Sequence, residues 1–208
     1  MNNKVILTDI DGVCLDWEQD FNRWMIGNGH ILVNPDAYKV HDRFTISTSE
    51  AKKVVREFNE SAKICFLKPF RDSVYYIKLL HEKHGFVFHC VTSLTKDPAA
   101  QELRKMNLQR YFGQTAFEKF IYADTGSDKD EVLMPYKNTN LYWIEDKPIN
   151  AELGIKYGLK SILMFHKYNE HYTNEHIIKV INWKGIYDII MCAQLSNNAV
   201  GRLIPSDK

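Results

Sequence analysis

Five short apolar runs recur along the chain, separated by longer stretches in which polar residues are frequent. Each run is nearly continuous rather than alternating, and each is rich in β-branched or aromatic residues. This pattern is typical of strands in a parallel sheet that is covered on both faces. The five predicted strands are KVILTDI at 4–10, FVFHCVT at 86–92, KFIYAD at 119–124, NLYWIE at 140–145 and KSILMF at 160–165.

Helices are expected between these strands. Asp72 is placed to cap a helix that ends at Gly85, and Asp97 followed by Pro98 opens another. Pro148 opens a shorter helix, and the segment NWKGIYDIIM predicts a last helix that packs back on the sheet. Strands that alternate with helices form right-handed β-α-β units. The predicted fold class is therefore α/β, with an open parallel sheet between helical layers.

The interval 16–69 breaks this alternation, because it contains no convincing strand. A capping box at Ser47 and Glu50 opens one amphipathic helix there. The apolar face of an earlier helix carries Trp17, Phe21, Trp24 and Met25. Extra core helices would give this pattern, but an insertion directly after a strand end favours a small helical cap over the sheet edge. We therefore predict a core of 1–15 and 70–208 and a cap of 16–69.

Composition narrows the class of protein. The 208 residues are 45% hydrophobic and 25% charged, which suits one substantial domain with a small insertion. The net charge is +1 and no block of Lys and Arg forms a basic arm, so general nucleic-acid binding is not expected. The start MNNKVILTD is too short for a signal peptide or a membrane span. Four widely separated cysteines, without a CxxC pair, predict reduced thiols in a cytoplasmic protein.

Polar side chains follow four of the predicted strands. In an open parallel sheet, ligands bind outside the carboxyl ends of the strands. If these side chains converge on one cleft, they supply acids, hydroxyls and an ammonium, which together suit a divalent cation and a phosphoryl group. The residues at the four strand exits are Asp9 and Asp11, Thr92 and Ser93, Lys129, and Glu145 with Asp146.

The acidic pair has two other interpretations. Asp9 and Asp11 could belong to a loop that merely turns the chain. An EF-hand calcium loop is the second, but it requires glycine at its sixth position. Counting from Asp9, Gly12 is fourth and Cys14 is sixth, so the EF-hand interpretation fails.

The remaining exit residues also have ordinary interpretations. Thr92 and Ser93 could cap a helix, and Asp146 could cap the helix that Pro148 opens. Lys129 could be a solvated surface charge, with Lys137 as a rival for its place in a site. Their common position, in chain order at strand exits, favours a shared site. The histidines at 166, 171 and 176 are expected on the surface or in loops, because a spacing of five cannot place them on one helical face.

These motifs together resemble those of the haloacid dehalogenase (HAD) superfamily of phosphatases. The matching stretches are DIDGV, VTS, Lys129 and IEDKP. A closer likeness is to the 5′(3′)-deoxyribonucleotidase branch, through DIDGVCLDW, CVTS, SDKD, IEDKP, FLKPFRDSV and RYFG. Two residues depart from that pattern: Glu145 stands where an Asp is usual, and Cys14 stands where an aliphatic residue is usual. The first departure leaves Asp146 as the expected metal ligand.

The resemblance implies a Rossmann-like three-layer sandwich, in the spatial strand order 5-4-1-2-3, and a Mg²⁺-dependent phosphomonoesterase. Asp9 is then the nucleophile, which forms an aspartyl-phosphate, and Asp11 the general acid and base. The metal is held by Asp9, by the backbone carbonyl of Asp11 and by Asp146. The phosphoryl oxygens are held by Thr92, Ser93 and Lys129.

The substrate is the least constrained element of this prediction. Trp17 resembles the aromatic residue that stacks on the base in the nucleotidase branch, which implies a nucleoside monophosphate substrate. The alternative is that Trp17 only packs in the core with Phe21 and Trp24. A phosphatase for polynucleotide ends or for another small metabolite, and a HAD-like binding protein without turnover, are the alternative functions.

Overall fold

A computed structural model describes the backbone of residues 4–201 and the side chains of residues 4–195. Its centre is a parallel sheet of six strands in the spatial order β3-β2-β1-β4-β5-β6. The strands are β1 Val5–Thr8, β2 Val87–Ser93, β3 Phe117–Ala123, β4 Tyr142–Glu145, β5 Lys160–Met164 and β6 Ile178–Val180.

The five predicted strands and their spatial order are confirmed, and the sheet has one strand more. β6 pairs with β5 at the sheet edge, with Ile162 opposite Ile178. Only three residues long, it is too short to carry a strand pattern of its own. Its conformation depends on the neighbouring strand, which the local sequence does not reveal.

Helices connect the strands and cover both faces of the sheet. The α-helices are α1 Trp17–Gly27, α2 Val40–Phe44, α3 Thr48–Asn59, α4 Ser73–His84, α5 Pro98–Phe112, α6 Asp130–Leu133, α7 Pro148–Lys156 and α8 Trp183–Gly201. Short 3-10 turns lie at Ala62–Phe66, Met134–Tyr136 and Lys167–Asn169. No helix among residues 4–201 combines the length and the apolar character that a membrane span needs.

The cores on the two sheet faces are separate. Ile6 and Leu7 are adjacent in β1 and fully buried, but they belong to different apolar clusters. Ile6 packs in the cluster that contains Trp183 of α8, and Leu7 packs in the cluster that contains Trp143. Burial on both faces explains why the strand runs are nearly continuous rather than alternating.

Two of the predicted helix caps form as expected, and one does not. The Asp97 carboxylate accepts hydrogen bonds from the backbone N–H groups of Ala99 and Ala100, and the Ser47 hydroxyl accepts one from Glu50. Asp72 precedes α4 but makes no side-chain cap there. Its carboxylate accepts instead from the backbone N–H groups of residues 183 and 184, at the start of α8. The prediction that Asp72 caps α4 is therefore wrong, because its carboxylate is used by a helix that is distant in sequence.

The segment 16–69 contains α1, α2, α3 and a 3-10 turn. Its two ends meet: Asp16 N–H donates to the Lys68 carbonyl at 2.8 Å, and Phe70 N–H donates to the Cys14 carbonyl at 2.9 Å. An insertion that leaves and re-enters the core at one place requires this geometry. The division of the chain into a core and a cap at these boundaries stays a prediction.

Candidate active site

The candidate site lies at the carboxyl ends of the central strands. β1 lies between β2 and β4 in the sheet. Asp9 follows β1 directly, and its backbone N–H donates to the Ile144 carbonyl of β4 at 2.8 Å. Thr92 and Ser93 end β2, and Glu145 ends β4. Parallel pairing therefore brings three of the four predicted strand exits side by side.

Lys129 joins this group from the loop after β3. Its Nζ lies 2.9 Å from Asp9 Oδ2 and 2.8 Å from Glu145 Oε2, and its side chain is 2% exposed. Burial alone lowers the pKa of Lys129, but the charges of Asp9 and Glu145 outweigh it and raise the pKa, so the ammonium persists. The rival Lys137 is exposed. Lys129, and not Lys137, is the ammonium beside Asp9.

Three carboxylates surround one potential cation position. One oxygen each from Asp9, Glu145 and Asp146 lies within 4.8 Å of the others. Burial, and then the charge of Glu145, raises the pKa of Asp9 to about 6. Burial also raises the pKa of Glu145 and of Asp146. A single ammonium does not balance three buried carboxylates, so a hard divalent cation such as Mg²⁺ fits this donor set.

Both carboxylate oxygens of Glu145 accept hydrogen bonds from other groups of the protein. Its Oε1 accepts from the backbone N–H groups of Asp146 at 3.2 Å and Lys147 at 3.1 Å. Its Oε2 accepts from Lys129 at 2.8 Å and from the Asn150 side chain at 3.3 Å. Glu145 thus accepts hydrogen bonds from the backbone N–H groups just before α7 and also binds the Lys129 ammonium. Asp146 does not cap that helix, whose N-cap residue is Lys147.

The carboxylate of Asp11 is not part of this cluster. It forms a bidentate pair with Arg104 of α5, with distances of 2.6 Å for Oδ1 to Nη1 and 3.1 Å for Oδ2 to Nη2. Burial raises the pKa of Asp11, and Arg104 opposes that rise. The Asp11 carboxylate is thus paired with Arg104 and is not one of the three carboxylates around the potential cation position, and its role as acid and base stays a prediction.

Arg104 was not predicted from the sequence, although its position carries a signal. Arg104 is fully buried and lies on α5 in line with Ala100, Leu108 and Phe112, which are also buried. These four positions recur at intervals of four, so they share one face of the helix. An arginine on an otherwise apolar helical face requires a buried acidic partner.

Gly12 lies close to Asp146, and His166 binds the Gly12 carbonyl. Gly12 has a φ of +77°, and a Cβ there would lie 2.5 Å from Asp146 Oδ2. His166 Nε2 donates to the Gly12 carbonyl at 2.7 Å, and its ring stacks between Phe70 and Tyr168. His166 is 8% exposed, and burial lowers its pKa to about 4. His166 lies in a loop, one of the two positions expected for it, but its ring is buried and not on the surface; the histidines at 171 and 176 are exposed.

The two hydroxyls at the end of β2 differ in their surroundings. Thr92 is 1% exposed, and its Oγ1 has no hydrogen-bond partner among the described residues. Ser93 Oγ donates to the Ser127 carbonyl at 3.3 Å. Neither caps α5, which is capped by Asp97. A buried hydroxyl without a partner requires an explanation, and a ligand oxygen is one.

Trp17 packs largely against other residues of the segment 16–69. Its ring stacks on Phe21 at 4.4 Å with an interplanar angle of 12°, and it meets Phe58 edge to face. Its indole N–H donates to Asn59 Oδ1 at 2.8 Å. One ring face and the only polar atom of Trp17 are thus already used within the protein.

Comparisons with known proteins show a similar fold in HAD-like hydrolases. No family model matches the chain. An uncharacterized 32.4 kDa protein of Enterobacteria phage T4 is 30% identical over 139 residues, which cover 64% of this chain and 49% of that protein. The chain therefore spans about half the length of this curated relative.

Solved structures cover nearly the whole chain at low identity. A haloacid dehalogenase-like hydrolase from Streptococcus pneumoniae has a TM-score of 0.60 and 14% identity, covering 91% of this chain and 100% of that one. A predicted phosphatase from Clostridium acetobutylicum has a TM-score of 0.61 and 13% identity, covering 90% and 98%. A D,D-heptose 1,7-bisphosphate phosphatase from B. bronchiseptica, solved with magnesium and phosphate, has a TM-score of 0.59 and 10% identity, covering 91% and 99%. The fold of this chain is thus the HAD-like Rossmannoid fold.

Proposed function

We propose that this protein is a Mg²⁺-dependent phosphomonoesterase that forms a covalent phosphoryl intermediate on Asp9. The observation that carries the proposal is the buried contact of Asp9 with Lys129 beside Asp146, at the carboxyl edge of the sheet. A HAD-like binding protein without turnover has no need of this costly arrangement of buried charges. The fold shared with HAD-like phosphatases is consistent with it.

Asp9 acts as the nucleophile. An oxygen of its carboxylate attacks phosphorus, the bond from phosphorus to the leaving oxygen breaks, and an aspartyl-phosphate remains. The contact with Lys129 favours the ionised carboxylate, which is the reactive form. Mg²⁺, held by Asp9, Asp146 and the Asp11 carbonyl, would supply positive charge to the phosphoryl oxygens.

Asp11 acts as the acid and then as the base. It gives a proton to the leaving oxygen and later takes one from the water that hydrolyses the intermediate. The pKa of Asp11 is raised by burial, which favours a protonated form. Its pairing with Arg104 opposes protonation, so one of the two bonds to Arg104 must loosen when Asp11 turns to the substrate.

The phosphoryl group is bound by Lys129, Thr92 and Ser93. The Lys129 ammonium stabilises negative charge on the oxygens that surround phosphorus. Thr92 Oγ1, which lacks a partner among the described residues, donates to one of these oxygens. Ser93 Oγ exchanges its 3.3 Å contact with the Ser127 carbonyl for another.

The proposed substrate is a nucleoside monophosphate. This step rests on the resemblance of DIDGVCLDW, CVTS and IEDKP to the nucleotidase branch; the contact to the base that the resemblance implies for Trp17 is limited by its stacking on Phe21 and its hydrogen bond to Asn59. The buried thiols of Cys14, Cys65 and Cys90 suit a reducing compartment, so we place the enzyme in the cytoplasm.

Phosphate release from a panel of monophosphates, measured with Mg²⁺ and with EDTA, tests the function. We expect Mg²⁺-dependent release that is faster from dUMP and dTMP than from sugar phosphates. Asp9→Asn should abolish it, while Glu57→Gln, at an exposed acid of α3, should not change it. Equal or faster release from sugar phosphates overturns the nucleotide proposal. No release from any substrate overturns the enzymatic one.

A further inference from the structure

Tyr38, in the loop between α1 and α2, reaches from the cap to the edge of the candidate site. Its ring lies 4.9 Å from that of Tyr168, at an interplanar angle of 60°. Lys147 Nζ lies over the Tyr38 ring at 5.4 Å, within the range of a cation–π contact. Tyr38 is 45% exposed, and its hydroxyl has no hydrogen-bond partner in the described part of the chain. A large aromatic side chain with an accessible ring and a free donor therefore borders the site.

The two residues that contact the Tyr38 ring, Tyr168 and Lys147, lie beside the carboxylates of the candidate site. Tyr168 donates a hydrogen bond from its hydroxyl to Asp146 Oδ2. Lys147 follows Asp146 directly, and its N–H is held by Glu145. Desolvation raises the pKa of the Tyr38 phenol, and so do the charges of Asp146, Glu145 and Asp9. The phenol is thus within the electrostatic reach of the carboxylates that surround the reacting phosphate.

A buried cation fixes the loop that carries Tyr38. Arg43 is 2% exposed, and it donates from Nε at 3.0 Å and from Nη2 at 2.6 Å to the carbonyl of Ala37, the residue before Tyr38. Arg43 also pairs with Glu18 of α1 at 2.6 Å. The position of Tyr38 is therefore set before any ligand binds, which reduces the entropy lost on binding.

Tyr38 is better placed than Trp17 to contact a ligand. Trp17 stacks on Phe21 and uses its indole N–H on Asn59. Tyr38 meets its neighbour Tyr168 at a steep angle and keeps its hydroxyl free. A planar ring in the leaving group of a monophosphate could stack on the accessible part of Tyr38, whereas a sugar phosphate offers no comparable flat apolar surface.

We propose that Tyr38 is a specificity-determining residue that selects monophosphates whose leaving group carries a planar aromatic ring. This inference rests on the proposed function, because it takes the phosphate to be bound between Asp9 and Lys129. In this proposal the loop 28–39, rather than the first turn of α1, is the segment that contacts the leaving group of the substrate. Lys147 adds a positive charge beside the ring.

Ligand binding to Asp9→Asn protein tests this without turnover. The ligands are thymidine 5′-monophosphate and 2-deoxyribose 5-phosphate, which differ by the base, and calorimetry with Mg²⁺ gives their dissociation constants. We expect an added Tyr38→Ala change to weaken binding of the nucleotide by about ten-fold, as for loss of one aromatic stacking partner. Binding of the sugar phosphate should change by less than about two-fold, within the variation of a neutral substitution. Tyr38→Phe should keep most of the nucleotide affinity, because the ring is retained.

Tyr75→Ala is the matched control, since Tyr75 is 64% exposed on α4 and its ring contacts Tyr76. It should leave both affinities unchanged. Equal weakening of both ligands by Tyr38→Ala, no weakening of either, or no binding of the nucleotide to the parent protein overturns the inference. Phosphate release by the wild-type enzyme is measured separately. Nucleotide binding that depends on Tyr38, without release by wild type, would refute the proposed activity and leave the role of Tyr38 in recognition intact.

Discussion

At the scale of single residues, Gly12 is where the first loop approaches Asp146 most closely. Its φ of +77° belongs to the left-handed region, and a Cβ would lie 2.5 Å from Asp146 Oδ2 and 3.2 Å from His166 Nε2. Any side chain therefore adds backbone strain and displaces a proposed metal ligand.

We expect Gly12→Ala to lower kcat/KM by at least about 100-fold, since a displacement of about 1 Å near a reacting group can cost that much. Steady-state kinetics, with unfolding in urea, provides the measurement. Gly113→Ala is the control, because Gly113 has a φ of +93° and open space around its Cβ position. With a ψ of 167° as well, Gly113 lies in a backbone region that essentially only glycine adopts, so alanine there should lower stability by about 1–3 kcal/mol and, without the contact, leave kcat/KM unchanged. Equal kinetic effects of the two changes would contradict this explanation.

His166 makes the folded state sensitive to acid. Burial holds its pKa at about 4, below the value of 6.5 for an unperturbed histidine. The unfolded chain therefore binds this proton more readily than the folded protein does. The contribution of His166 to the free energy of unfolding is fully present above pH 6.5 and is lost as the pH falls towards 4.

The expected loss through His166 between pH 7.5 and pH 5 is about 2 kcal/mol of unfolding free energy. His166→Phe keeps a ring between Phe70 and Tyr168 but has no proton to bind. It should be less stable than wild type at pH 7.5, because the hydrogen bond to Gly12 is lost, but should lose about 2 kcal/mol less on acidification. Urea unfolding of both proteins at the two pH values checks this. Parallel pH dependence of the two proteins would show that His166 is not the responsible group.

At the scale of elements, local signals predicted the strands and several helix boundaries, because these follow from the period and the capping chemistry of neighbouring residues. Asp72 shows where this fails. Its position before α4 is that of a helix cap, yet its carboxylate accepts from the N–H groups at the start of α8, 111 and 112 residues away. The same side chain could serve either helix, and only the packing of α8 against α4 selects one.

Asp72→Ala should therefore destabilise the protein by about 1 kcal/mol, through loss of the cap of α8. Thermal or urea unfolding gives the value, and hydrogen exchange should show faster opening of the first turn of α8 than of α4. Asp188→Ala, at an exposed acid of α8 that pairs with Lys184, is the control, with an expected effect within about 0.5 kcal/mol. Faster exchange confined to α4 would instead mean that Asp72 caps its own helix.

At the scale of the whole molecule, the chain folds so that like charges from distant segments share a buried position. Asp9 and Asp146 directly follow different strands, and Lys129 supplies the one ammonium among residues 4–195 that contacts Asp9. Folding forces these groups together, so bound Mg²⁺ should stabilise the folded state relative to the unfolded chain.

We expect Mg²⁺ at about 100 times its dissociation constant to raise the unfolding free energy by about 2.7 kcal/mol. Asp146→Asn should remove most of this gain, while in EDTA it should be at least as stable as wild type, because one buried charge is gone. Glu57→Gln, at an exposed residue of α3, should respond to Mg²⁺ as wild type does. An undiminished Mg²⁺ response in Asp146→Asn would exclude Asp146 as a ligand.

The sequence by itself determined the parallel α/β fold and the strand ends at which polar side chains are concentrated, whereas the strand order was implied by the resemblance to the HAD superfamily. It could do so because strand periodicity, helix caps and the direction of parallel strands are local or topological properties. The structure brings Asp9, Lys129 and Asp146 together as those rules predict, while Asp11 turns to Arg104.

Only the tertiary structure decided which of several equivalent side chains meet. It selected Lys129 over Lys137, turned Asp72 to α8, paired Asp11 with Arg104 and placed Tyr38 beside Tyr168. Each of these contacts joins residues that are far apart in the chain, and its energy depends on distance and burial. Neither quantity is encoded in the pattern around any one residue, so they become defined only when the chain packs.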